Sequence, residues 1–135
     1  MAEERIEFEL VSPERLLLSE AVEMVVIPGA EGEFGVLPQH APTISTLRPG
    51  VIRVYEKGAV AERIFVDSGF AEVTPARCTV LADRAVPVAE IDRAATDEVL
   101  KNARDDLGDA KTDDERAEAE RRIAVAEAML AAAEG

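Results

Sequence analysis

The sequence predicts an α+β chain: an N-terminal all-β sandwich of about eight to ten strands over residues 1–88, then an antiparallel two-helix hairpin over 89–135. Three observations predict it. Up to Pro87, glycine and proline break the chain every few residues into short runs rich in Val, Ile and Phe, the rhythm of a sandwich or barrel. Beyond Pro87 proline is absent and alanine mixes with charged residues, which favours helix. At the same boundary the apolar spacing changes from alternation to every fourth residue.

Taken in order, Ile6, Phe8 and Leu10 alternate with Glu7 and Glu9, as in a half-buried strand. Val22 to Ile27 is a compact apolar run ending at Pro28. Val51–Tyr55, Arg63–Val66, Gly69–Val73 and Cys78–Ala82 continue the pattern. In the helical part Ile91, Ala95, Val99, Ala103 and Leu107 form one stripe that ends at Gly108, a C-cap by residue type. Thr112 and Glu115 stand at capping-box spacing and open a second helix, whose stripe runs through Ala119, Ile123, Ala126 and Leu130. The short Gly108–Lys111 link folds the helices back on each other. Alanine-rich faces bury little apolar area, so the hairpin is expected to be the weakly held, mobile part.

Between the second and third strand-like runs lies Gly29–Pro42, GAEGEFGVLPQHAP, a segment that mixes glycine, proline, acid and apolar side chains. Its glycines give freedom and its prolines stiffen the borders, which predicts a shaped surface loop rather than a plain hairpin turn. Glu31, Glu33, Phe34 and Leu37 sit in it with His40, the single histidine. His40 has two readings: a ring bonded to a neighbouring backbone group that fixes the Pro38–Pro42 turn, or a contact residue. Phe34 and Leu37 likewise either tuck into the sandwich edge or form part of an interface.

The formal charge is −13. Residues 1–89 carry 14 acidic against 8 basic side chains and residues 90–135 carry 14 against 7, so neither half is a basic docking module. Nucleic acid and anionic membrane surfaces are repelled as main partners, whereas a basic partner is attracted. One cysteine, Cys78, excludes an intrachain disulfide framework and fits a reducing compartment. No apolar run approaches the ~18 residues a bilayer span requires, and the first residues lack a signal core. These features predict a soluble, cytosolic chain.

Little chemistry is encoded. The glycine segment lacks the lysine and Ser/Thr of a P-loop, and its acids would repel phosphate. One His and one Cys make no zinc spacing. Ser45, Ser68 or Cys78 as a nucleophile would have only His40 for a base, and no spacing indicates a carboxylate pair among Glu31, Glu33 and Asp67. In the hairpin Arg93, Lys101, Arg104, Arg116, Arg121 and Arg122 are interspersed with acids, as a solvated intrahelical ion-paired face or as a strip that grips an acidic partner.

The runs GAEGEFGVLPQHAPTISTLRPGVIRV (29–54) and VDSGFAEVTPARCTVLADRA (66–85) resemble the epsilon subunit of F-type ATP synthase, and the resemblance extends over essentially the whole chain. The Arg48-Pro49-Gly50, Ser68-Gly69-Phe70 and Leu81-Ala82-Asp83 landmarks follow in order. Met1 without a transit peptide fits a bacterial or plastid-encoded member. The resemblance implies a non-catalytic rotor part that binds no cofactor. Its sandwich would link the gamma shaft to the c ring, with Glu31, Gly32, Glu33, Phe34 and His40 on the loop facing the ring. It also implies a peripheral location on the cytoplasmic face of the bacterial inner membrane.

The helical hairpin in that family can extend along the shaft and impede ATP hydrolysis. Arg104, Arg116, Arg121 and Arg122 are then the regulatory contacts toward the alpha/beta head. The family's ATP motif falls on Ile91-Asp92-Arg93-Ala94-Ala95-Thr96, where alanine replaces the arginine and threonine replaces the last alanine. Arg93 lies two residues early, on another helix face. The end, Ala131 to Gly135, lacks a basic tail. The alternative reading is a small ligand-binding or adaptor sandwich whose site is the Gly29–Pro42 segment.

Overall fold

The computed structural model describes residues 4–134. Met1, Ala2, Glu3 and Gly135, on which the expectations about the two ends partly rest, lie outside the described residues. The chain divides after Pro87 into two compact units.

The first unit holds ten strands: β1 Ile6–Val11, β2 Leu16–Val22, β3 Met24–Gly29, β4 Gly32–Val36, β5 Thr43–Thr46, β6 Gly50–Glu56, β7 Ala59–Val66, β8 Gly69–Val73, β9 Arg77–Ala82 and β10 Ala85–Pro87. They form two five-stranded sheets, β2-β1-β9-β8-β5 and β10-β7-β6-β3-β4. All pairings are antiparallel except β1 with β9. The inward positions of both sheets fill the core with Ile6, Phe8, Leu10, Val22, Val25, Ile27, Val36, Ile52, Val54, Val66, Val73, Cys78 and Val80. Burial in this apolar layer pushes the Cys78 thiol up to about 12, so it stays protonated and unreactive at neutral pH.

Two sequence expectations are corrected here. The Val22–Ile27 run is not one strand: Glu23 separates β2 from β3. The Gly29–Pro42 segment is not a loop throughout. Gly29 pairs with Gly32 across a two-residue turn, and β4 runs on as the edge strand of the second sheet before the chain turns again at Leu37. Gly29 has no room for a side chain, because a Cβ there would stand 2.8 Å from the Gly32 carbonyl oxygen and 2.9 Å from the Phe34 ring.

The second unit begins with a 3-10 turn, Val88–Glu90, followed by α1 Arg93–Asp109 and α2 Asp113–Glu134. The Asp92 carboxylate caps α1 by accepting from the Ala95 N–H at 3.0 Å, and the Thr112 hydroxyl caps α2 by accepting from the Glu115 N–H at 3.1 Å. Thr96 against Met129, Asp106 against Arg122 and Arg93 against Glu134 fix the helices as an antiparallel pair.

The stripes differ from the sequence expectation. In α1 the buried positions are Thr96, Leu100 and Ala103, while Ala95 and Val99 face solvent. A strict fourfold repeat drifts around a 3.6-residue helix, and mixed three- and four-residue steps hold the seam. In α2 Ala119 and Ala126 are buried as expected, but Val125, Met129 and Ala132 fill the seam while Ile123 and Leu130 are half-buried. Gly108 lies within α1 rather than capping it; the C-cap is Ala110, whose N–H reaches the Leu107 carbonyl at 3.3 Å.

Candidate functional site

Two features of the sandwich are available for contact: the β4 edge with its flanking turns, and the outer face of the first sheet.

At the β4 edge the structure separates residues that the sequence placed together. Glu31 is exposed at the tip of the β3–β4 turn, beside Thr46 and Leu47, where the Ala30 N–H donates to the Thr46 carbonyl at 2.9 Å. Gly32 takes a φ of 142°, opening β4 in a region that favours glycine. Glu33 and Phe34 point to opposite faces, as successive strand residues must. Glu33 lies on the outer face, 2.9 Å from the Arg53 guanidinium of β6, and hydrogen bonds to Tyr55 and Glu33 raise the pKa of Arg53. Phe34 turns inward, half-buried against the core.

His40 closes the far side. The Leu37 carbonyl accepts from the His40 N–H at 3.1 Å across Pro38 and Gln39, and Gln39 has φ 71°, which is the type II turn with proline first. The Gln39 N–H donates to the Pro75 carbonyl at 2.7 Å, tying this turn to the end of β8. The His40 ring sits 6.4 Å from the Phe34 ring. Its Nδ1 lies 2.7 Å from the Ala41 carbonyl oxygen, and since a carbonyl only accepts, Nδ1 carries the proton. The first of the two His40 readings therefore describes its geometry. Leu37, by contrast, is exposed. Glu31 and Leu37 stand at opposite ends of β4, roughly 20 Å apart by strand rise, so the segment is an edge rather than a pocket.

The outer face of the first sheet carries residues the sequence reading did not single out as a site. Register places Thr46, Phe70, Leu81, Val11 and Leu16 side by side, one from each strand. Phe70 is 43% exposed, Leu81 42% and Leu16 55%, and Ile44, two residues along β5 from Thr46, is 74% exposed. An apolar row thus crosses four strands and ends at Thr46 on β5, with Ile44 beside it in register with Glu72. The next row on the same face is polar, with Glu72, Thr79 and Glu9 in register, and Glu9 is ion-paired with Arg77. An apolar strip rimmed by charge is the composition of an interaction surface.

This row is held in place by the landmark turn before β8. Gly69 has φ 133°, and a Cβ on it would lie 1.8 Å from the Leu81 carbonyl oxygen. Ser68 donates its hydroxyl to Asp83 at 2.6 Å, the Asp83 N–H reaches the Ser68 carbonyl at 2.8 Å, and the Leu47 N–H reaches the Gly69 carbonyl at 2.9 Å.

In the second unit the arginines are mostly engaged. Arg116 pairs with Asp113 and Arg121 with Glu118 one helical turn away, as the intrahelical reading expects. Arg104 with Glu127 and Arg122 with Asp106 instead cross between helices, as does Arg93 with Glu134. The three polar residues of the degenerate ATP motif are thus all occupied, Asp92 as a cap, Arg93 against Glu134 and Thr96 donating to the Asp92 carbonyl at 2.7 Å. Ile91 is half-buried just before α1. Among the described residues no three metal-ligating side chains come together, and no helix is long and apolar enough to cross a membrane.

Residues 5–88 match the family described as ATP synthase, Delta/Epsilon chain, beta-sandwich domain. The ATP synthase epsilon chain of Rhodospirillum rubrum is 57% identical over 132 residues, covering 98% of each chain. That of Paramagnetospirillum magneticum is 53% identical over 129 residues, covering 96% of this chain and 97% of the other. Among solved structures, a chain of the Euglena gracilis mitochondrial ATP synthase, an OSCP/F1/c-ring assembly, superposes with a TM-score of 0.83 at 28% identity. It covers 95% of this chain, which covers 81% of it. A Tetrahymena thermophila chain shares the fold, with a TM-score of 0.65 at 13% identity over 98% and 99% of the two chains.

Proposed function

The chain belongs to the ATP synthase Delta/Epsilon family, and from that membership we propose that it is the epsilon subunit of an F-type ATP synthase, a central-stalk part that joins the gamma shaft to the c ring. The observation that carries this reading is the end-to-end correspondence with epsilon chains, sandwich and helices together. The subunit performs no catalysis itself. It transmits torque, which calls for a stiff body with two contact surfaces. It sits peripherally, on the cytoplasmic face of the bacterial inner membrane, through the complex.

The apolar row Leu16, Val11, Leu81, Phe70 supports a broad contact with the shaft, where burial of apolar side chains supplies the hold. The β4 edge, with Glu31 exposed at the tip and the Phe34 and His40 rings tilted toward each other at 6.4 Å, supports an acidic contact with basic groups of the c ring. Glu33 is already committed to Arg53, so Glu31 is the acid available to a partner.

A second reading concerns the hairpin, as a brake on hydrolysis by the alpha/beta head. It is favoured by the seam, in which alanines and single Leu, Val and Met residues do most of the packing, so that little apolar area holds the helices in one arrangement.

The test is capture of this subunit by gamma from the same organism. Leu81→Glu puts a charge into the middle of the row without touching the core, and is expected to weaken capture by about tenfold or more, ~1.4 kcal/mol. Unchanged capture, with the variant as stable as the parent, would move the gamma contact off this face.

A further inference from the structure

β5 is an edge of the first sheet, and the direction of its backbone groups is set at its end. The Leu47 N–H donates to the Gly69 carbonyl at 2.9 Å, so Leu47 turns its backbone toward β8. Successive residues of an antiparallel strand turn their backbone groups to opposite sides, and β5 keeps an unbroken register with β8 from Thr43 against Val73 to Thr46 against Phe70. Thr43 and Ser45 therefore bond to β8, while Ile44 and Thr46 turn away from it. The Thr46 carbonyl accordingly accepts from the Ala30 N–H at 2.9 Å, in the β3–β4 turn of the other sheet. Among the described residues no strand lies beyond β5, so the N–H and C=O of Ile44 and the N–H of Thr46 face outward along an open edge.

The other three edges are guarded, as exposed strand edges commonly are. β2 has a register shift against β1 at Leu10/Val11 and carries Glu20. β10 is three residues long and ends in Pro87, and β4 holds Glu33 in an ion pair with Arg53. β5 reads Thr-Ile-Ser-Thr, with no charge, no proline and no bulge. Ile44, at 74%, is the most exposed large apolar side chain among the described residues. It stands directly opposite Glu72, with Thr79 and Glu9 following in the same row, so its own sheet gives it no apolar neighbour there. The place for one is on its open side.

We propose that β5 accepts an extended segment of the partner that covers the apolar row, which joins the first sheet as a sixth strand and lays an apolar side chain beside Ile44. On the docking reading of the proposed function, on which this rests, that partner is the gamma shaft. Continuity selects this occupant: Thr46 ends the row that begins at Leu16, so a body seated on the row already borders the edge. A second copy of this chain is repelled, since each carries a net charge of −13. The added strand lies about 4.8 Å from β5 and bonds to the open groups of Ile44 and Thr46. Burial of the apolar row is non-directional, whereas these bonds fix the partner's position along the strand. A joint that carries torque needs that register.

Amide hydrogen exchange of the full chain, free and captured by gamma from the same organism, tests the added strand. In the free chain the Ile44 and Thr46 amides exchange faster than that of Ser45, and capture slows both by roughly tenfold or more. Ile44→Pro removes only an outward N–H, a position where edge strands accept proline. It should unfold in urea near the parent and be captured roughly tenfold more weakly. Ser45→Pro removes an N–H bonded to β8 and lowers the urea midpoint instead. Ile44 and Thr46 amides that exchange as fast in the complex as in the free chain would overturn the added strand, and so would parent-like capture of Ile44→Pro. Loss of capture in Leu81→Glu together with unslowed edge amides leaves the docking face standing and removes the strand alone. A parent chain that gamma does not capture removes both.

Discussion

Replacing Gly69 by alanine tests the logic of the fold at its tightest point. The φ of 133° is a region in which side chains are strained, and the new Cβ would lie 1.8 Å from the Leu81 carbonyl oxygen, 2.9 Å from its carbon and 3.0 Å from the Ala82 Cα, against 3.4 Å or more for ordinary contact. All three neighbours are backbone, so no side chain can swing aside. The β8–β9 ladder must open by about 1.5 Å, which breaks the Gly69–Ala82 pairing and disturbs the Ser68–Asp83 bonds. Backbone strain costs about 1–3 kcal/mol, each lost hydrogen bond about 1, and overpacking about 1–3. The expected total, on the order of 3–6 kcal/mol, is a large share of the ~5–15 that holds a typical domain. Gly58→Ala is the control. Gly58 has φ 75° but nothing within 4 Å of a new Cβ, so it should cost only about 1–2 kcal/mol. Urea unfolding followed by Tyr55 fluorescence reports the sandwich alone, because Tyr55 is the single tyrosine, tryptophan is absent and no aromatic residue lies beyond Pro87. A Gly69→Ala cost within about 1 kcal/mol of the parent, or no larger than that of Gly58→Ala, would refute the reasoning.

Two further outcomes follow from the proposed function. Glu31→Lys should weaken association with the c ring in a salt-dependent way while leaving the unfolding midpoint unchanged, and pull-down at two ionic strengths checks it. Glu33→Lys should in addition cost the sandwich about 0.2–1 kcal/mol, since it replaces an exposed ion pair with Arg53 by repulsion. Ending the chain after Val88 should leave Tyr55-monitored unfolding of the sandwich intact and raise ATP hydrolysis by the assembled enzyme; no rise in turnover would remove the brake.

What was legible in the sequence was whatever depends on near neighbours. β1, β6, β8 and β9 announce themselves by alternation, and the caps at Asp92 and Thr112 are short-range chemistry. β2 was missed because Ser19, Glu20 and Ala21 interrupt its apolar pattern, β4 because glycine fills two of its five positions, and β5 because it is only four residues long. Within the Gly29–Pro42 segment, composition identified Glu31, Phe34 and His40 as noteworthy. It could not show that β4 sets Glu33 and Phe34 on opposite faces, since that requires knowing that the segment is a strand.

The apolar row was hidden for a different reason. Its members are 11, 16, 70 and 81, and only the parallel pairing of β1 with β9 brings them together, which no local window contains. Yet the first sheet left a usable signal in the phase of its alternation. Phe70 is out of step with buried Ala71 and Val73, and Leu81 with Cys78, Val80 and Ala82: large apolar groups on the beat that faces water. A strand that served packing alone would keep its phase. Departures outward leave a surface for a partner to cover. The docking face is therefore an exception that falls on strands whose remaining residues obey the rule.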